Sequence, residues 1–290
     1  MTRITRKAAQ RRTSSHLPLL AILAALAALS ATTAHAVRPF VTDDGRIADH
    51  GQIEGETWLE LGNPGRRVVP VYNVLLNIEA QPWLEIGLQG GLGWDVDDTV
   101  TIADPSFQLK LLFVRPEDDA WPGVGLVAGV TTPWGRGTAS LGATGGYVIV
   151  PATVSLFRGF LQIHVNGGWI GASTPDDPFR NRGFWGLGFD AGLWHEDIRA
   201  IAEVFAGDPL DVFGPTFAFQ SGVRWIVSDH INLDVAAGGA PAWAIADSDS
   251  FEWSVQIGLR FLINAFVPRG QSPHPGGGRG MFTPTRRAER

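Results

Sequence analysis

The residues able to do chemistry in this chain are mostly acidic, and they recur at alternating positions. His164 lies two residues before Asn166, and Ser155 sits on the preceding segment. Serine and histidine on neighbouring segments are the ingredients of an acyl-transfer site, but no nucleophile motif frames Ser155. The histidines His50, His164, His195 and His230 are scattered without ligand spacing, so no metal site and no cofactor is expected. Asp95-x-Asp97-Asp98 lacks the glycine and closing glutamate of a calcium loop, and Asp104, Asp176-Asp177, Asp247 and Asp249 read as solvated loop charge. The chain is therefore expected not to be an enzyme, with a barrel hydrolase as the weakest of three readings.

A larger set of charges carries more meaning. Glu54, Glu56, Glu60, Glu79, Glu85, Lys110, His164, Asp190, Arg199, Glu203, Arg224, Asp234, Glu252 and Arg260 all fall on the polar side of segments whose other side is apolar. Charges so placed must meet water or one another. They either line an open lumen, where excess acid favours cations or neutral solutes over anions, or pair into a ladder that fills a narrow one.

The elements that position them are strands. From Gly51 to Ile263 the pattern has period two. In the last segment Phe251, Trp253, Val255, Ile257, Leu259, Phe261 and Ile263 alternate with Glu252, Ser254, Gln256, Gly258, Arg260 and Leu262. About twelve segments follow this pattern, roughly 52–61, 67–79, 83–94, 106–114, 123–132, 146–157, 160–170, 183–194, 198–206, 216–227, 231–239 and 251–263. Short turns (80–82, 158–159, 195–197, 228–230) alternate with longer polar loops (95–105, 133–145, 171–182, 208–215, 240–250), as in barrels with tight turns at one end and loops at the other. Residues 115–122 are long for a turn, and 62–66 short for a loop. The expected fold is all-β: a transmembrane up-and-down antiparallel β-barrel of about 12 strands.

The ends of the chain point to export. Arg3, Arg6, Lys7, Arg11 and Arg12 precede an apolar run from Leu17 to Leu29, and Ala34-His35-Ala36 supplies the small-x-small cleavage pattern. Residues 1–36 read as a signal peptide cleaved at Ala34 and Ala36, 37–50 as a periplasmic lead, 51–264 as the outer-membrane barrel and 265–290 as a disordered tail. The composition counts Cys 0, Gly 36, Trp 11 and Phe 16, so disulfides play no part in stability. Setting aside the basic residues of the signal and the charges of the tail leaves about 13 basic against about 28 acidic residues, a body that will not seek nucleic acid.

Trp83, Trp194, Trp225 and Phe261 cluster toward the turn end, and Trp94, Trp169, Trp185 and Trp253 toward the loop end. Two aromatic girdles at headgroup depth are the natural reading. Gln256, Gly258, Phe261 and Ile263 match the polar-x-Gly-x-x-aromatic-x-hydrophobic pattern that resembles the assembly signal on the final strand of outer-membrane barrels. The expected partners are outer-membrane lipids, lipopolysaccharide, the barrel assembly machinery and a small solute.

The stretch Arg38-Pro39-Phe40-Val41-Thr42-Asp43-Asp44, followed by Gly51 and Glu54, resembles the opening of the meta-pathway phenol degradation family of outer-membrane proteins. The resemblance is sharp over about twenty residues and diffuse over the strands. It implies an outer-membrane barrel taking up hydrophobic or aromatic compounds. Asp43-Asp44 itself reads as a turn rather than a cation site. The leading expectation is transport: passage of small, hydrophobic or aromatic solutes across the outer membrane of a Gram-negative-type bacterium. The alternative is a closed structural or ligand-binding barrel.

Overall fold

A computed structural model describes residues 41–48, 51–62, 69–94, 99–115, 122–174, 179–193, 197–208, 214–245 and 249–265. The strands are β1 (Gln52–Gly62), β2 (Val69–Gln81), β3 (Leu84–Trp94), β4 (Val100–Ile102), β5 (Ser106–Val114), β6 (Gly123–Thr131), β7 (Thr144–Leu156), β8 (Leu161–Ser173), β9 (Arg180–Gly192), β10 (Ile198–Ala206), β11 (Ala218–Ser228), β12 (Ile231–Ala240) and β13 (Glu252–Asn264). All but β4 form one ring in which each strand pairs antiparallel with the next. The ring closes between first and last strands, with a register running from Gln52 opposite Asn264 to Gly62 opposite Ser254.

Closure follows from the sequence pattern. Alternation turns one row of apolar side chains outward, and the backbone groups of such a sheet have no water to bond to unless the ends meet. The outward rows are exposed to a degree a water-soluble protein would not tolerate: Val165 is 50% exposed, Val235 53% and Ile257 53%. The long strands have 9 to 13 residues, which matches the tilted length needed to cross a hydrocarbon core. Among the described residues no helix is long and apolar enough to cross a membrane.

The structure adds one element to the expected twelve. β4 lies in the loop predicted over 95–105 and pairs with the end of β3, Leu92 opposite Ile102 and Trp94 opposite Val100. At three residues it is too short for a period-two signal. Ile102 also bridges to Arg136, and the Asp104 carboxylate accepts from Gly135 N–H (2.9 Å), Ser140 O–H (2.8 Å) and Leu141 N–H (2.9 Å). The loop over 132–143 is thus tied to its neighbour by side-chain-to-backbone bonds.

The β7–β8 turn also departs from expectation. It was read as Arg158-Gly159, but residues 157–160 form it, with Phe157, Arg158 and Gly159 all left-handed (φ 55°, 57° and 84°). Glycine accepts that geometry freely, whereas each of the other two residues costs about 1 to 2 kcal/mol. Arg199, reaching from β10, donates to the Gly159 and Phe160 carbonyls and holds the turn (2.9 and 3.3 Å).

Candidate functional site

The charged residues read from the sequence as one polar face are largely withdrawn from solvent. Glu54, Glu56, Glu79, Glu85, Lys110, His164, Asp190, Arg199, Glu203, Arg224, Asp234 and Arg260 are buried, while Glu60 and Glu252, toward the loop end, are half-buried. Several of them pair with one another inside the ring. Arg199 pairs with Asp190, Arg224 bridges Asp190 (2.9 Å) and Asp234 (2.7 Å), and Arg260 pairs with Glu54. These pairs lie in the half of the barrel toward the short turns; all join adjacent strands except Arg224–Asp190, which reaches from β11 past β10 to β9. Asp234 stands opposite Gly258, and Arg224 directly opposite Asp234.

The segment 41–48 changes the reading of the site. As part of the 37–50 lead it was expected outside the barrel, in the periplasm. Instead Thr42, Asp44, Arg46, Ile47 and Ala48 are buried, and Thr42, Asp44 and Ala48 bond to wall residues. Val41 N–H and Thr42 N–H both donate to the Glu203 carboxylate (2.8 Å each). Gly45 N–H donates to Thr153 Oγ1 (2.8 Å), Ala48 N–H to Glu85 Oε2 (2.9 Å) and Gly51 N–H to Glu79 Oε2 (2.9 Å). Lys110 Nζ donates to Asp43 (2.8 Å) and Asp44 (3.4 Å), and Arg46 pairs with Asp44 (2.6 Å). Asp43 and Asp44 do form the expected turn, since Asp44 N–H donates to Asp43 Oδ1 and Arg46 N–H to Asp44 Oδ1. Burial alone would raise the Asp44 carboxyl, but Arg46 and Lys110 outweigh it and hold it below the ordinary carboxylate range.

The excess of inward carboxylates was the sequence signal for this strap. Glu79, Glu85 and Glu203 outnumber the cations near them, and the backbone N–H groups of a threaded segment serve as their donors. Shape fits as well as charge. Gly186 and Gly188 on β9 leave a recess for Thr42, and a Cβ at Gly186 would stand 2.5 Å from Thr42 Oγ1.

The strand register sets Ser155 opposite Gln162 and Thr153 opposite His164, and Thr153 Oγ1 bonds His164 Nδ1 at 2.9 Å. That hydroxyl is fully buried and also accepts from Gly45 N–H, so it fastens the strap.

The rest of the interior is apolar on one side. Val127, Ala143, Tyr147, Ile149, Ile170, Ala172 and Phe184 form a buried cluster on the loop half of β6–β9, and Val41 packs against it. Between the strap and the opposite wall remains a cavity of about 40 Å³, bordered by Asp43, Asp44, Glu54, Glu85, Lys110 and Arg260. That is room for about three water molecules.

On the outside, Trp83, Trp94, Trp169, Trp185, Trp225 and Trp253 are exposed and Phe261 is half-exposed, while Trp194 lies outside the described residues. Gln256, Gly258, Phe261 and Ile263 fall on β13, the final strand. Ala34 and Ala36, the loop acids 95–98, 176–177 and 247, and the tail from 266 onward lie outside the described residues.

Among solved structures the chain is similar to the COG4313 outer membrane channel from Pseudomonas putida F1, at 9% identity and a TM-score of 0.56, covering 79% of this chain and 100% of that one. It is also similar to the KdgM porin in complex with disordered oligogalacturonate (8% identity, TM-score 0.46, 72% and 98% covered). A third likeness is to outer membrane phospholipase A from Escherichia coli (10% identity, TM-score 0.45, 72% and 92% covered). At such identities the likeness is one of fold, and the fold is that of outer-membrane barrels. No curated protein sequence matches this chain. A family described as Uncharacterised conserved protein UCP029691 matches residues 21–265, so the chain belongs to that family.

Proposed function

We propose that this chain is an outer-membrane channel that rests closed, its lumen occupied by its own segment 41–48, and that it admits small hydrophobic or aromatic solutes when that segment yields. The observation that carries the reading is the contact of Val41 with the buried apolar cluster around Ile149, Ile170 and Phe184. A solute with an apolar body could take the place of Val41 against those side chains, gaining roughly 25 cal/mol for each Å² of apolar surface removed from water. The exposed apolar wall supports a place in the outer membrane, reached through a cleaved signal and the barrel assembly machinery. The opening Val41-Thr42-Asp43-Asp44, which resembles the meta-pathway phenol degradation family, is the part of the chain that fills the lumen. That supports the same solute class.

A second reading, a permanently closed structural barrel, draws on the ion pairs of Arg224 and the small cavity. Liposome swelling and planar-bilayer conductance on the full mature chain, and on a variant lacking residues 41–48, separate the two. The channel reading expects weak passage in the full chain and a rise on the order of tenfold in the variant, with aromatic solutes admitted ahead of sugars of similar size. A variant that folds, inserts and still conducts nothing overturns it.

A further inference from the structure

The aromatic rings at the two ends of the barrel are organised differently. At the turn end Trp83, Phe113, Phe157, Phe160 and Trp225 are exposed, and no two of these rings pair. At the loop end the rings pair. Trp185 meets Phe217 (centroids 6.4 Å), Phe217 stacks on Trp243 (5.6 Å, 23° between planes), Phe219 meets Phe251 (6.3 Å) and Trp169 meets Phe179 (6.2 Å). Trp185 lies on the outward row of β9, so the column Trp185-Phe217-Trp243 rises from the apolar wall to the loops. Its top ring, Trp243, is 75% exposed.

The column is held rigid from behind. Thr216 donates through its N–H (2.7 Å) and hydroxyl (3.1 Å) to the Ala244 carbonyl, joining the loop that carries Phe217 to the 3-10 turn that carries Trp243. Arg182 Nη1 donates to the Gly214 and Pro215 carbonyls, joining that loop to β9. Gly239 on β12 leaves room for the Phe251 ring, since a Cβ there would stand 2.5 Å from Phe251 Cζ. Exposed rings fixed in this way lose little freedom when something packs on them.

We propose that this face, the loop end of β9–β13, is a docking surface for lipopolysaccharide in the outer leaflet. The commitment rests on continuity. The lowest ring, Trp185, belongs to the outward apolar wall in the girdle at headgroup depth, while the exposed Trp243 follows the end of β12 and extends the column toward the sugars of the leaflet. Arg180, exposed beside Phe179, brings positive charge to the level of the lipid phosphates. Unpaired rings suffice against a fluid phospholipid leaflet, whereas a stacked, braced column suits a stiff glycolipid. The inference depends on the outer-membrane reading and goes beyond it.

The test uses the mature full chain in phosphatidylethanolamine vesicles with and without lipopolysaccharide, read by the temperature at which the folded band on unheated gels is lost. Lipopolysaccharide should raise that temperature for the wild type and for W83A/W225A. The rise should vanish in F217A/W243A and survive in W243F, which keeps the ring. If F217A/W243A responds as the wild type does, or if the inserted wild type ignores lipopolysaccharide, the docking surface is overturned while the barrel reading stands. A wild-type dimer that W243A dissolves overturns it in favour of self-association. Failure of the wild type to insert removes both readings.

Discussion

The two halves of the barrel interior are built on opposite principles. Toward the short turns the space is filled by charge: Asp190, Arg199, Arg224, Asp234, Arg260 and Glu54 in pairs, with Lys110 reaching to the strap. Toward the loops on the β6–β9 side it is filled by Tyr147, Ile149, Ile170 and Phe184. The strap itself follows the same division, with Val41 in the apolar half and Asp43, Asp44 and Arg46 among the charges. Charge pairs fix geometry because each group left alone is costly. Apolar packing is less particular about which atoms supply the contact. The half whose charges fix geometry and the half whose packing tolerates a change of atoms are therefore different halves.

The comparison breaks most severely at Arg224. Arg224→Met takes one ion-pair partner from Asp190 and the paired guanidinium from Asp234, and should lower the unfolding free energy by about 3 to 5 kcal/mol in urea titrations. Replacing Asp234 by Leu in the same chain should recover part of that loss. Phe184→Ala tests the other half: a loss of about 3 kcal/mol is expected from the cavity it leaves, and the folded band should respond to salt as the wild type does. A salt response that changed with Phe184 would mean that the halves are not separate.

A smaller effect on stability, about 1 to 3 kcal/mol, is expected from Gly186→Val, which overfills the recess of Thr42. Its effect on conductance should be larger, because the strap is pushed from Glu203; unchanged current would show that Thr42 simply rotates away. Smallest is Asp104→Ala, at about 1 kcal/mol on an exposed loop. Faster protease nicking between β6 and β7, with no change in conductance, is the expected readout.

Much of this was legible beforehand. Ser106–Val114 and Ile198–Ala206 were readable to the residue, because each carries clean alternation bounded by turn residues. The inward charges were legible for the same reason: period two assigns a face. What alternation cannot give is what stands opposite a face across the lumen. The strap has no period of its own, being eight residues of mixed polarity, and its partners Glu85, Thr153 and Glu203 come from strands far apart in sequence. Thr153 was passed over for Ser155 because a shift in strand pairing moves the partner of His164 by two residues, and composition carries no register.

The seam between β1 and β13 joins the two ends of the sheet, and the segment enclosed by the ring immediately precedes β1. Movement of residues 41–48 therefore pulls directly on the joint where the hoop is fastened, at Gln52 and Asn264.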